Sequence, residues 1–174
     1  MIKVNLDSRY RDAMNYAFRK YVYLKREVSF LPYAIHPIRI LSILREFGYN
    51  EFEHEDLMIS VLLHDVIEDT PTKLPEIEGL FGKRVAEIVS ELSHPEGLSK
   101  EEWLECFKFY SKEAKIVKIA DRIDNLLDME ECSFPEPRKS RYYEQSKIIL
   151  RTCGDANRDL AMKLYDIVKY RGGE

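Results

Sequence analysis

The feature that most constrains this chain is the apolar run "LMISVLL" (57–63), which passes without a break into "HDVIEDT" (64–70). In the window "DLMISVLLHDVI" (56–67), apolar side chains occupy nearly the whole circumference of a helix. A helix that is hydrophobic all round has to be covered on every side. The spacing therefore predicts a central buried helix running through 56–67.

The remaining segments supply helical faces to cover it. In "HPIRILSILREFG" (36–48), Ile40, Leu41, Leu44 and Phe47 share one face, and Gly48 is placed to end the helix. "KRVAEIVSEL" (83–92) repeats the pattern with Val85, Ile88, Val89 and Leu92. "SKEE" (99–102) has the form of a capping box and predicts a helix start. "SKEAKIVKIADRIDNLLDM" (111–129) places Ile116, Ile119, Ile123 and Leu126 on one stripe. "RKSRYYEQSKIILR" (138–151) and "DANRDLAMKLYDIVKY" (155–170) read as two closing helices on either side of Gly154. The proline-containing segments 29–37, 68–75 and 133–140 read as connections. No segment alternates with period two for long enough to argue for a sheet. The expected fold is all-α, a bundle of about seven to nine helices, and 174 residues suit a single domain spanning 1–174.

Composition closes off several classes of function. The net charge is −4, which argues against a polymeric nucleic-acid partner or an anionic membrane surface. No apolar stretch approaches the roughly 18 residues of a membrane span, and the N-terminus lacks a signal-peptide core. Cys106, Cys132 and Cys153 form no C-x-x-C pair and fit reduced thiols in a cytoplasmic protein. The sequence leaves the oligomeric state open, with a homo-oligomer among the options.

The polar residues at the end of the apolar run carry the chemistry. Residues four apart share a helix face, so on a continuing helix His64 sits over Glu68 and Asp65 over Asp69. An imidazole beside a carboxylate is a mixed nitrogen and oxygen donor set for a divalent transition ion. His36 sits at a helix start, and Asp121 and Asn125 again stand four apart on an apolar helix. Taken singly, His64 reads as a hydrogen-bonded core histidine, His36 as a helix cap, and Asp121 as a partner of Lys118 or Arg122. Together, on strongly buried helices, they favour a metal site. A divalent ion held there would polarise a phosphoryl oxygen and lower the pKa of its water towards about 7.

His36, then "HD" at 64–65, then Asp121 resembles the H…HD…D signature of the HD-domain phosphohydrolases. More specifically, "HPIRIL…LLHDVIEDTPTKLPEIEGLFGKRVAEIV…EAKIVKIADRIDNLLDM" is similar to the (p)ppGpp hydrolase domain of RelA/SpoT homologues, including their small stand-alone members. The resemblance implies a metal, usually manganese, held by His36, His64, Asp65 and Asp121. It implies that Glu68 and Asp69 activate the attacking water or relay its proton. It also implies a nucleotide substrate contacted by Lys25, Arg26, Asn125 and, in looser register, Tyr142. The implied reaction removes the 3′-diphosphate of ppGpp or pppGpp, with no synthetase domain in the chain. Further cations for such a substrate are on offer at Arg138, Lys139, Arg141, Lys147 and Arg151, although a solvated face explains that helix equally well.

Three stretches depart from the family pattern: "EVSFL" (27–31) in place of a glycine-containing segment, Asp124 in place of an aromatic residue or histidine, and "SHPEGLSKEEWLEC" (93–106) in place of a more basic loop. If Asp124 faces the pocket, it weakens guanine discrimination. His54 and His94 match nothing in the signature and read as surface residues. Two other readings stay open: a phosphohydrolase for another nucleotide or for a 2′- or 3′-phosphate, and a non-catalytic nucleotide-sensing module.

Overall fold

The computed structural model describes residues 9–27, 29–131 and 134–171. Among them are ten α-helical segments: α1 (Arg9–Lys20), α2 (Ile35–Glu46), α3 (Glu55–Leu63), α4 (Val66–Asp69), α5 (Leu74–Phe81), α6 (Lys83–Leu92), α7 (Lys100–Cys106), α8 (Lys112–Glu131), α9 (Glu136–Cys153) and α10 (Arg158–Arg171). The four-residue α4 is a single turn, which leaves nine longer helices. No strand forms among the described residues; Lys25 and Pro32 make one isolated antiparallel bridge. No helix there is long and apolar enough to cross a membrane.

The apolar run forms the centre, as its composition demands. Every residue of α3 from Leu57 to Leu63 is buried, and each large aliphatic side chain in it contributes about 1.5–3 kcal/mol by leaving water. Helices α1, α2, α6 and α8 all pack against α3. The second axis is the long α8, which is covered by α2, α3, α6, α9 and α10. The site residues come from α2, α3 and α8, so they are held by the most deeply buried part of the bundle.

Local signals act where they were expected. Ser99 and Glu102 form the reciprocal capping box of α7. Gly48 follows α2 with φ 85° and donates its N–H to Arg45, a left-handed stop that glycine adopts without steric cost.

Three expectations change. The central helix does not run through 56–67: α3 stops at Leu63, and Asp65 takes φ −103° and ψ 2° before α4 begins. Consecutive side chains on an unbroken helix point about 100° apart, and the break frees His64 and Asp65 from that divergence. Helices α1 and α5 formed where no apolar stripe was assigned. The buried face of α1 is Tyr10, Ala13 and Ala17, residues too small or too polar to give a strong periodic signal, and Arg9 pins the helix to Glu55 and Asp56 at the start of α3. Helix α5 carries its proline in the first turn, where the missing N–H costs nothing. Helices α2 and α9 start one and two residues ahead of the starts expected at 36 and 138, with Pro37 and Pro137 in their first turns.

Candidate active site

Helix α2 delivers His36 from its first turn, the end of α3 delivers His64, and α8 delivers Asp121. One ligand atom from each of these three lies within 4.8 Å of the others, and all three residues are buried. The Nε2 atoms of His36 and His64 are 3.3 Å apart, and His36 Nε2 is 3.2 Å from Asp121 Oδ1. Asp65 stands at the edge of this group. Its Oδ2 is 2.8 Å from His64 Nε2 but 3.9 Å from His36 Nε2.

The far side of each ring shows what this geometry requires. His64 Nδ1 is 2.8 Å from the Val61 carbonyl oxygen, which accepts hydrogen bonds only, so Nδ1 carries the proton. His36 Nδ1 is 2.6 Å from Asp124 Oδ2, a carboxylate that likewise needs a donor. Each neutral ring then presents an Nε2 lone pair to the other and to two carboxylates. Such a meeting of acceptors needs a cation between them, and two nitrogens with two oxygens fit a divalent transition ion. Without one, protons take its place. Burial opposes charge on His64, but Asp65 beside it prevails and lifts the imidazole to about 9. Burial also opposes charge on Asp121, but Lys118 and the two histidines hold its carboxyl well below the usual range.

A polar network ties the cluster to the walls of the site. The Tyr33 hydroxyl donates to Asp65 Oδ2. Asn125 Nδ2 donates to Asp121 Oδ1 at 2.5 Å. Arg26 bonds Asn125 Oδ1 through Nη2 at 2.8 Å and Asp128 Oδ2 through Nε at 3.0 Å. Asp128 also accepts from Arg39 at 2.9 Å, and Lys118 Nζ donates to Asp121 Oδ2 at 2.9 Å.

Beside the cluster opens a cavity of about 340 Å³, with Asp65, Asp121 and Asn125 in its wall. Lys25, Arg26, Glu68, Asp69 and Tyr142 line the same cavity, so the residues that the family resemblance implied for the nucleotide and the water share one cavity. His36 and His64 lie behind that wall. Burial, followed by the charge of Asp65, pushes the Asp69 carboxyl above its usual range.

The sequence reading missed several lining residues. Lys100 Nζ sits over the Trp103 ring at 4.2 Å, and Lys118 Nζ sits over it at 4.6 Å. Burial and then Lys118 lower the Lys100 pKa. Arg122 and Phe134 complete the wall around Tyr142, with the Arg122 guanidinium 4.6 Å from the Tyr142 ring centre. Lys118 and Arg122 were legible as neighbours of Asp121 on its helix. Lys100 carried no local signal, because its position depends on how α7 folds back against α9.

Other expectations are corrected by the geometry. Asp124 does not face the cavity; it is 2% exposed and turned onto His36. Of the cations on the closing helix only Arg138 lines the cavity, and it is ion-paired with Glu27, while Lys139, Lys147 and Arg151 pair with Glu136, Glu144 and Glu105. His94 is half-buried rather than on the surface, with its ring 5.2 Å from Trp103. His54 is half-buried as well, against Tyr49 at 4.9 Å. Cys106 and Cys153 are free thiols, and Cys132 lies outside the described residues.

This helical bundle, with histidine and aspartate ligand atoms drawn from its central helices, matches the family model described as "HD domain" over residues 33–126. The chain belongs to the HD-domain family. It is 33% identical over 170 residues to the human guanosine-3′,5′-bis(diphosphate) 3′-pyrophosphohydrolase MESH1, covering 92% of this chain and 93% of that protein. The Drosophila melanogaster MESH1 is 28% identical over 173 residues, covering 95% and 96%. Escherichia coli SpoT, a bifunctional (p)ppGpp synthase/hydrolase, is 38% identical over 105 residues, which is 55% of this chain and 14% of SpoT. A solved structure of a metazoan orthologue of SpoT that hydrolyses ppGpp superimposes with a TM-score of 0.86 at 29% identity, covering 95% of this chain and 96% of that one.

Proposed function

We propose that this chain is a divalent-metal-dependent hydrolase that removes the 3′-diphosphate of ppGpp and pppGpp as pyrophosphate, with Mn²⁺ as the ion and the whole of 1–174 acting as one domain. The observation that carries the reading is the group His36, His64 and Asp121 within 4.8 Å, beside a cavity whose wall holds Lys25, Lys100 and Arg138. The 33% identity to human MESH1 across nearly the whole of both chains supports ppGpp as the substrate. The two free thiols support a cytoplasmic setting.

In this reading His36, His64, Asp65 and Asp121 hold the ion, which when bound supplies Lewis-acid stabilisation of a phosphoryl oxygen and a more acidic water. The protein's own groups do the rest. Glu68 orients the attacking water and accepts its proton, and the raised pKa of Asp69 suits it to pass that proton on. Lys25 and Lys100 pair with the diphosphate, and Arg26 positions Asn125 against the nucleotide. Tyr142 offers its ring to the nucleoside, backed by the Arg122 guanidinium.

The test is a panel of ppGpp, its adenine counterpart, NADPH, dNTPs and 3′-AMP, each incubated with Mn²⁺ and purified protein, with products identified. The reading predicts the highest kcat/KM for ppGpp. Preferential cleavage of a 2′- or 3′-monophosphate would assign a different phosphohydrolase activity. Tight binding of ppGpp without any turnover would make the chain a nucleotide sensor.

A further inference from the structure

The two histidines of the cluster are oriented in chemically different ways. His64 Nδ1 is 2.8 Å from a neutral backbone carbonyl three residues back in its own helix. His36 Nδ1 is 2.6 Å from the carboxylate of Asp124, across the α2–α8 interface. His36 is 1% exposed and Asp124 is 2% exposed, so water does not compete for this bond. Asp124 stands one helical turn after Asp121 on α8, so one rigid helix carries both a candidate ligand and the group that aims another. On its outer side Asp124 borders a separate groove shared with Ile38, Ser42 and Leu127, away from the substrate cavity.

We infer that Asp124 is a positioning residue for the metal centre: it locks His36 as the Nδ1–H tautomer and holds Nε2 towards Asp121 and His64. The inference rests on the metal-centre reading above and deepens it. Burying a carboxylate is costly unless it is hydrogen-bonded, and the bond to His36 satisfies Asp124. A carboxylate behind a ligating histidine fixes tautomer and ring orientation, and removing such a partner typically costs about 10–100-fold in metal affinity. An asparagine at this position keeps an acceptor oxygen and loses the charge; a leucine keeps only the volume.

The experiment compares wild type, Asp124→Asn and Asp124→Leu without nucleotide. Nitrogen-15 NMR of the metal-free proteins reports the His36 tautomer, and titration followed by electron paramagnetic resonance gives the Mn²⁺ dissociation constant. Wild type should show Nδ1 of His36 protonated, whether or not Nε2 also carries a proton in place of the metal. In Asp124→Leu a tautomer mixture should appear and Mn²⁺ binding should weaken about 10–100-fold, with Asp124→Asn in between. Turnover of ppGpp by Asp124→Asn should return to within a few-fold of wild type once Mn²⁺ is saturating. Circular dichroism checks folding, and if the leucine variant unfolds the asparagine variant decides. An unchanged tautomer and a dissociation constant within about two-fold of wild type in a folded variant would overturn the inference. Absence of Mn²⁺ binding by wild type would instead sink the metal-centre reading, while the tautomer comparison would still test the link between Asp124 and His36.

Discussion

The backbone N–H of His94 donates to Glu68 Oε1 at 2.7 Å. The segment after α6 thereby holds a carboxylate that faces the cavity. Glutamine at position 68 keeps an oxygen for His94 but cannot accept a proton from water. Glu68→Gln should therefore retain full metal stoichiometry and lose activity by about 10²–10⁴-fold, the usual contribution of a general base. Turnover within a few-fold of wild type would reduce Glu68 to a support and make Asp69 the residue to test.

The ligand cluster makes a joint prediction about metal and pH. His64→Ala and Asp121→Ala should each abolish stoichiometric metal binding, read by elemental analysis. In metal-free wild type, the His64 pKa is raised from its ordinary 6.5 to about 9. A raised imidazole stabilises the fold fully below the unfolded value, and the contribution fades as pH rises through the folded value. Stability in EDTA should thus fall between pH 6.5 and about 9, while Mn²⁺ displaces the proton and flattens that dependence. Identical slopes with and without Mn²⁺ would contradict this.

Lys25 and Arg26 read alike in the sequence, but the structure separates them. Arg26 is only 12% exposed and ion-paired with Asp128, so Arg26→Ala should lower stability by about 1.5–3 kcal/mol, the range for hydrogen bonds to charged groups, and raise KM by releasing Asn125. Lys25→Ala should raise KM with the melting temperature unchanged. Equal thermal effects from both would contradict the distinction.

Phe30 adopts φ 57° and is 72% exposed. A left-handed conformation costs a residue with a side chain about 1–2 kcal/mol, and glycine avoids the cost at some expense in unfolded-state entropy. Phe30→Gly should raise the melting temperature by a few degrees without altering metal stoichiometry. A drop would show that the exposed ring contributes packing that outweighs the strain.

These four cases also mark what could be read from sequence. The apolar run and the stripes on α2, α6 and α8 were legible because burial imposes a period on the residues themselves. His36, His64 and Asp121 were legible as donor types on buried helices, and Glu68 and Asp69 followed from their place after the histidine–aspartate pair. The inward turn of Asp124 was not, since position 124 lies one residue from Asn125 and only the α2–α8 packing decides which of them meets the cavity. Arg26 was legible as a cation but not as a clamp, because Asp128 stands about a hundred residues away. Helix α1 escaped because alanine and tyrosine bury a face without marking it.

The most direct test of the central claim is phosphorus-31 NMR of ppGpp incubated with Mn²⁺-loaded protein. The account predicts pyrophosphate and GDP appearing one to one, with neither formed by Asp121→Ala. Release of orthophosphate, or intact ppGpp after prolonged incubation with metal-loaded wild type, would contradict it.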